Sequence, residues 1–114
     1  MATDYDELTG RFKALAHPTR LRILDMLRQG EVCVCHIEAA LGRRQAYVSQ
    51  QLMMLREAGL VETRKDGLMV FYRLADDLTR DLLDAALGPA GRAERLPVAG
   101  CPCPECTVPS HRRA

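Results

Sequence analysis

The sequence predicts a mainly α-helical domain that carries one β-hairpin, in the element order of a winged helix-turn-helix. Within residues 41–60, apolar side chains recur at the spacing of one helix face, and amides and hydroxyls occupy the other faces. Residues 61–74 alternate between apolar and polar on both sides of an Asp-Gly pair, which is typical of a hairpin. Two further helical segments precede these elements. A helix pair followed by a hairpin is the order found in winged helix-turn-helix domains.

The first predicted helix covers residues 4–16. Its apolar residues lie three and four positions apart, as in a narrow seam that packs against another helix: Tyr5, Leu8, Phe12 and Leu15. His17 and Pro18 end this helix and begin a second one over residues 17–30, because proline is tolerated in a first turn but not inside a helix. We expect His17 to be structural.

A pair of cysteines follows the second helix. Residues 31–35 read EVCVC and alternate like a short strand, and residues 36–41 resemble a short helix. Cys33 and Cys35 therefore lie at or just before a helix start, where unsatisfied N–H groups and the positive dipole end favour thiolate over thiol. Two such thiolates can bind one soft ion. Two small buried apolar side chains would give the same pattern, so both interpretations stay open.

The helix within residues 41–60 is the predicted DNA-recognition helix. Gly42 marks the turn before it and Gly59 its end. An ordinary amphipathic surface helix would show the same stripe, but the neighbouring elements favour DNA binding. Its polar side chains suit base edges and phosphates in a major groove. We expect DNA contacts from Arg43, Arg44, Gln45, Tyr47, Ser49 and Gln50, and on the hairpin from Arg64 and Lys65.

The final predicted helix begins at Asp76 and Asp77, where negative charge is favoured, and ends at Gly88 and Pro89. Its apolar side consists of Leu78, Leu82, Leu83 and Leu87. A chain this small leaves apolar seams at both ends uncovered, so we expect a homodimer through the first and last helices. Residues 1–88 are thus predicted to form a DNA-binding and dimerisation domain.

Residues 89–114 are predicted to form a flexible tail, because they hold five of the six prolines. The tail contains three thiols within six residues: Cys101, Cys103 and Cys106. The CPEC segment resembles the motif of thiol oxidoreductases, but it lacks the βαβ setting that this motif requires. We therefore interpret the three thiols as a cluster that can fold onto a soft ion.

Composition and charge agree with a small DNA-binding domain. The 114 residues are 47% hydrophobic, which suffices for one core, and the net charge is only +1. Residues 42–74, however, carry six basic and three acidic side chains, which favours a phosphate contact surface there. No apolar run approaches the ~20 residues that span a bilayer, and the first residues do not resemble a signal peptide. We expect a cytoplasmic protein with no membrane partner, in which five cysteines form no disulfide framework.

Four segments together resemble the ArsR/SmtB family of metal- and metalloid-responsive repressors, over roughly residues 5–87. They are HPTRLRIL, EVCVC, VSQQLMMLREAGLV and the hairpin RKDGLMVFYRL. The resemblance implies a homodimeric winged-helix repressor that binds double-stranded operator DNA and loses DNA affinity when a soft metal or metalloid binds. It also implies that Cys33 and Cys35 are ligands.

The chain departs from the family pattern in two places. His36 and Glu38 stand where arsenic sensors often have an aspartate and a third cysteine, so we expect at least one tail cysteine to complete the site; a separate three-sulfur site in the tail is the alternative. The segment around Arg44 lacks the usual serine cap, which leaves a cation available to DNA. The last helix contains no histidine, which argues against the family's zinc, nickel or cobalt site there.

Trivalent arsenic or antimony is therefore the first expected effector, followed by cadmium, lead or mercury. Two other functions stay open. One is a thiol redox-sensing repressor that signals through a disulfide. The other is an interaction module in which four thiolates hold structural zinc. An enzyme is the least favoured class, because no base is placed beside a nucleophile in a recognisable pattern.

Overall fold

The computed structural model describes residues 4–89, and its elements follow the order of a winged helix-turn-helix. The helices are α1 (Tyr5–Leu15), α2 (Pro18–Met26), α3 (Val34–Leu41), α4 (Gln45–Glu57) and α5 (Asp77–Leu87), and the strands are β1 (Val32–Cys33), β2 (Val61–Asp66) and β3 (Met69–Leu74). The predicted mainly helical fold with a hairpin wing is confirmed. None of the helices in this range is long and apolar enough to cross a membrane. All but Pro89 of the predicted tail, with its three cysteines, lies outside the described residues.

Four of the helices begin at side chains that accept a hydrogen bond from a backbone N–H group, and in α3 that side chain is Cys33. The Asp4 carboxylate accepts from Glu7 N at 3.0 Å, and His17 Nδ1 accepts from Thr19 N at 3.2 Å. Asp76 Oδ1 does the same for Thr79 N at 2.9 Å. These caps satisfy donors that the first helical turn leaves unpaired. His17 is therefore a structural cap in this fold.

The core lies where α2, α3, α4, α5 and the base of the hairpin meet. The stripe Val48, Leu52 and Leu55 of α4 is at most 1% exposed and packs among other fully buried side chains. Those partners are Ile23, Leu24, Met26, Leu27, Ile37, Leu60 and Leu83. Each such side chain contributes ~1.5–3 kcal/mol relative to an exposed one, so this cluster fixes the orientation of α4 on the domain.

The hairpin strands belong to a three-stranded antiparallel sheet of order β1-β3-β2. Gly67, whose φ is 60°, lies in the turn between β2 and β3, where a positive φ favours glycine. Strand β1 pairs with β3 by placing Cys33 opposite Phe71. Helix α3 begins at Val34 and not at the predicted His36, because Cys35 N donates to Cys33 Sγ at 3.3 Å and so already lies in the first turn.

Arg28 joins α5 to the rest of the domain. Its buried guanidinium pairs with Asp25 at 2.7 Å and with Asp84 at 2.9 Å, and it also donates to the carbonyl of Gly88. In return, Arg80 donates to the carbonyl of Arg28 at 2.5 Å. These contacts hold the C-terminal end of α5 beside the turn that follows α2.

Candidate nucleic-acid interface and thiol site

The polar face of α4 is exposed on the side opposite its core stripe. Gln45, Ser49 and Gln50 are exposed within the helix, and Arg43 and Arg44 are exposed just before it. No side chain caps the start of α4 at Arg44, in keeping with the absence of the serine expected from the family pattern. Five of the six residues predicted to contact DNA near this helix thus share an accessible surface.

Tyr47, the sixth of these residues, is half-buried and is engaged by the protein itself. The Arg43 guanidinium carbon lies 4.4 Å from the centroid of the Tyr47 ring. The Tyr47 hydroxyl is hydrogen-bonded to the hydroxyl of Thr19, in the first turn of α2, at 3.0 Å. Its environment therefore differs from that of the freely exposed amides of α4.

Arg20 contacts the buried side of α4. The sequence pattern did not identify this residue. Its Nη1 donates to Gln51 Oε1 at 3.0 Å, and its Nε donates to the carbonyl of Ala14 at 2.7 Å. Arg20 and Gln51 are both buried, so neither belongs to the exposed interface. The available signal was the position of Arg20 four residues before Leu24, on the apolar side of α2.

The two predicted cations of the wing have different environments. Lys65 is exposed on β2. Arg64 is exposed as well, but its Nε and Nη2 donate to the Glu31 carboxylate at 3.0 and 2.5 Å, and its guanidinium carbon lies 4.6 Å from the centroid of the Phe71 ring. The hydrogen bonds from Arg64 lower the pKa of Glu31 below its ordinary range. Arg64 is therefore held by a carboxylate of the protein in this structure.

Cys33 and Cys35 are joined by a disulfide bond at the junction of β1 and α3. Cys33 is 4% exposed, Cys35 is half-buried, and the pair packs against Met69 and Phe71 of strand β3. The bond closes only a two-residue separation. It therefore constrains little of the unfolded chain. One such short bond is not a structural disulfide framework. The structure brings together the two thiols that the sequence predicts to act as a pair.

A complete ligand set for a metal ion is not found in the described part of the chain. Between residues 4 and 89, no group of three or more His, Cys, Asp or Glu side chains is placed to hold one. His36, beside Cys35, is 3% exposed and is engaged in a contact of its own. Cys101, Cys103 and Cys106 lie outside the described residues, so their part in the site stays a prediction.

Comparison with known proteins finds similarity to bacterial regulatory proteins over these elements. The family model described as "Bacterial regulatory protein, arsR family" matches residues 17–63, which contain α2, α3 and α4. The biofilm growth-associated repressor of Agrobacterium fabrum is 51% identical over 73 residues, which cover 64% of this chain and 62% of that protein. The chain thus spans less than two thirds of that relative's length. The arsenical resistance operon repressor of Escherichia coli is 48% identical over 65 residues, which cover 56% of each protein.

One solved structure matches this chain over a larger share of its own length than the Agrobacterium fabrum repressor does. The homodimeric winged helix-turn-helix DNA-binding domain of Mb0332 from Mycobacterium bovis, described as a possible ArsR-family transcriptional regulator, is 38% identical to this chain. It superposes with a TM-score of 0.67 over 71% of this chain and 75% of that one. The matched region therefore includes most of the residues that the structure describes.

Proposed function

Since the chain belongs to the arsR family of bacterial regulatory proteins, we propose that it is a transcriptional repressor released from operator DNA by a thiophilic effector. The family resemblance predicted from the sequence is confirmed, and so is the prediction that the chain is not an enzyme, because these relatives are named as repressors and transcriptional regulators. The effector we place first is trivalent arsenic or antimony, followed by cadmium, lead or mercury. As a partner of operator DNA, the protein would act in the cytoplasm.

The convergence of the Cys33 and Cys35 sulfur atoms carries this proposal. Two sulfurs that can bond to each other can, when reduced, also reach one soft ion placed between them. Helix α3 starts at this point, and its N-terminal dipole favours the thiolate forms that bind such ions. Trivalent arsenic favours three thiolates in a pyramid, so we propose that a tail cysteine supplies the third. The similarity to an arsenical resistance repressor supports this choice of effector.

The position of the cysteine pair suggests how binding would be communicated. Cys33 lies in β1, which pairs with the wing strand β3, and Cys35 lies in α3, which packs against α4. An ion held by both sulfurs would therefore act on the wing and on the recognition helix at once. A displacement of either element from its DNA-ready position lowers DNA affinity. By linkage, DNA should weaken effector binding by the same factor.

A homodimer would supply the second recognition helix. Tyr5 and Phe12 of α1 and Leu78 and Leu87 of α5 are between 43% and 74% exposed in the single chain. Arg11 pairs with Asp76 at 3.3 Å and so holds α1 beside the start of α5. We propose that this shared apolar surface packs against its own copy. Two α4 helices would then enter successive major grooves ~34–36 Å apart on a palindromic operator.

The direct experiment is a release assay with the full chain under reducing conditions. The probe is a labelled duplex that the protein itself selects from a random pool, titrated with arsenite, cadmium and zinc. We expect arsenite to release the DNA from the wild-type protein but not from the Cys33→Ser, Cys35→Ser double variant. A double variant that is still released would reject this site and favour a separate three-sulfur site in the tail. A chain ending at Gly100 that still responds would show that the tail cysteines are not required.

Thiol oxidation is a second candidate signal, and the Cys33–Cys35 disulfide favours it. A peroxide would oxidise the two thiols to the disulfide and be reduced in the same step, with the two thiol protons leaving in the products. Metal-free protein would be treated with mild peroxide and examined by mass spectrometry and DNA binding. Unchanged DNA affinity in the fully oxidised protein would remove this candidate. The zinc-stabilised module needs four thiolates, of which residues 4–89 contribute two, so two tail cysteines would have to join them. This candidate predicts loss of helicity on chelation, and an apo protein that stays folded would reject it.

A further inference from the structure

We propose that Tyr47 is a positioning residue for DNA binding. It holds Arg43 ready for a backbone phosphate and does not itself read a base. This inference rests on the proposed DNA-binding function and deepens it. It also reassigns one residue of the predicted contact surface, because the sequence alone predicts Tyr47 as a major-groove contact.

The contact between Arg43 and Tyr47 leaves the arginine available to DNA. A guanidinium that stacks on an aromatic ring, here at 4.4 Å from the centroid, uses its flat face. Its five N–H donors point outward from its edge, in the geometry that suits phosphate oxygens. Arg43 is exposed, so these donors are accessible. The ring can therefore restrain Arg43 without competing with a phosphate for its hydrogen bonds.

Tyr47 is fixed at its other end by α2. Its hydroxyl is bonded to the Thr19 hydroxyl at 3.0 Å, and Thr19 N donates to the His17 cap at 3.2 Å. The next turn of α2 contributes Ile23 to the same core cluster as Val48 of α4. Tyr47, a residue of α4, is thus also attached to α2 through its hydroxyl. A side chain held in this way is poorly suited to adjust to a base edge but well suited to hold a neighbour in place.

The position of Arg43 favours phosphate over bases. It lies outside α4, beside Gly42, whose φ of 61° turns the chain between α3 and α4. Base edges are reached by side chains within the first turns of a recognition helix, whereas flanking residues contact the backbone. A restrained arginine loses less side-chain entropy when it binds. Arg44 is a natural comparison, since no hydrogen bond or ring contact within residues 4–89 holds its exposed side chain.

A double-variant cycle tests the inference. The probe is a labelled duplex of ~30 base pairs, long enough for two half-sites, selected from a random pool by the wild-type protein. Binding is measured by fluorescence anisotropy at several salt concentrations. We expect Arg43→Gln to weaken binding ~5–10-fold and to reduce the slope of log affinity against log salt by about 1. We expect Tyr47→Ala to weaken binding ~3–5-fold and to reduce the same slope in part.

The decisive result is the combination of the two changes. If Tyr47 acts through Arg43, the double variant binds within about twofold of Arg43→Gln alone. The matched control is Arg44→Gln combined with Tyr47→Ala, for which we expect the two losses to multiply. Independent losses for Arg43 and Tyr47, or a Tyr47→Ala variant with altered base preference and an unchanged salt slope, would overturn the inference and return Tyr47 to base recognition.

Two further variants separate positioning from folding. Tyr47→Phe keeps the ring beneath Arg43, so we expect the salt slope of the wild type and only a small loss of affinity. Tyr47→Leu keeps bulk without an aromatic face, so it should behave like Tyr47→Ala even if the alanine variant proves too unstable to use. Thermal unfolding of each variant provides the stability control. A wild-type protein that binds no duplex from the pool would instead reject the proposed function itself.

Discussion

The carboxylate of Glu31 accepts hydrogen bonds from Nε and Nη2 of Arg64, and this pair connects the wing to the segment that carries the cysteines. Glu31 directly precedes β1, and Arg64 lies in β2, on the far side of β3. The ion pair therefore spans the sheet beside the position where Cys33 faces Phe71. A predicted DNA contact and the thiol site thus share one small sheet.

The first prediction concerns competition for Arg64. Replacing Glu31 by Gln removes the carboxylate that competes with DNA phosphate, so Glu31→Gln should tighten DNA binding about twofold to fivefold at low salt. Arg64→Gln should weaken binding and reduce its salt dependence. Fluorescence anisotropy with the selected duplex at several salt concentrations measures both effects.

The matched control for this prediction is Glu62→Gln. Glu62 forms the equivalent exposed pair with Arg73, at 2.9 Å, on the same hairpin. No residue in that pair is among the predicted DNA contacts, so its loss should leave affinity nearly unchanged. Equal effects of Glu31→Gln and Glu62→Gln would indicate a general change in charge and would contradict a specific role for Arg64.

The second prediction concerns Cys33 as a helix cap. Its sulfur accepts the N–H of Cys35 at the start of α3. Serine replaces this acceptor and alanine does not, so under reducing conditions Cys33→Ala should lower the free energy of unfolding by ~0.5–1 kcal/mol relative to Cys33→Ser. Urea unfolding measures the difference. Equal midpoints for the two variants would show that the sulfur contributes no cap. Both variants should lose the proposed arsenite response.

The third prediction concerns the proposed dimer surface. Leu78→Asp places a charge on the exposed apolar side of α5, and two-fold symmetry places two such charges in each interface. The dissociation constant of the dimer should therefore rise at least ~100-fold. Sedimentation velocity across a concentration series measures the change. Met53→Asp is the matched control, because Met53 is similarly exposed, 58% against 51%, but lies on α4. A Leu78→Asp protein that remains dimeric would place the interface elsewhere.

The fourth prediction concerns the Asp76 cap and pH. Hydrogen bonds from the backbone N–H and then the hydroxyl of Thr79 hold the pKa of Asp76 below its ordinary value. A carboxyl with a lowered folded pKa stabilises the fold above its unfolded pKa of about 4, and this contribution is lost as the pH falls through the folded pKa. Asp76→Ala should therefore cost ~1 kcal/mol at neutral pH and progressively less below about pH 4.

Urea unfolding at pH 7 and at pH 3 tests this dependence. Asp77→Ala is the control, since Asp77 lies in the same first turn while the capping bonds to Thr79 come from Asp76. If Asp76→Ala lowers the free energy of unfolding equally at both pH values, the ionised carboxylate is not what stabilises the helix start.

The helices and the wing are predictable from local signals. The stripe Val48, Leu52 and Leu55 predicts the buried face of α4, and an alternating pattern around Gly67 predicts the hairpin. Both patterns involve only residues that are close together in the sequence. The exposed polar residues of α4 follow from the same periodicity, because a buried stripe determines which positions face solvent.

The contacts that distinguish this site are not predictable in the same way. The pairing of Cys33 with Phe71 depends on the register of a two-residue strand, and the contact between Arg20 and Gln51 depends on how α2 crosses α4. The contact made by Tyr47 is likewise not predictable from the local sequence. The sequence indicates a polar-tipped side chain on a recognition helix, but only the packing of α2 reveals that its hydroxyl meets Thr19.

The short length of β1 also affects how quickly the cysteine pair can be reached. Two residues of pairing with β3 hold this edge of the sheet, so few backbone bonds need to break for it to open. Openings of this kind require far less free energy than global unfolding, and they set the rate at which a buried group meets solvent. Cys33 would thus react through brief local opening while the helical core stays intact. Amide hydrogen exchange should accordingly be faster at Val32 and Cys33 than at Leu52.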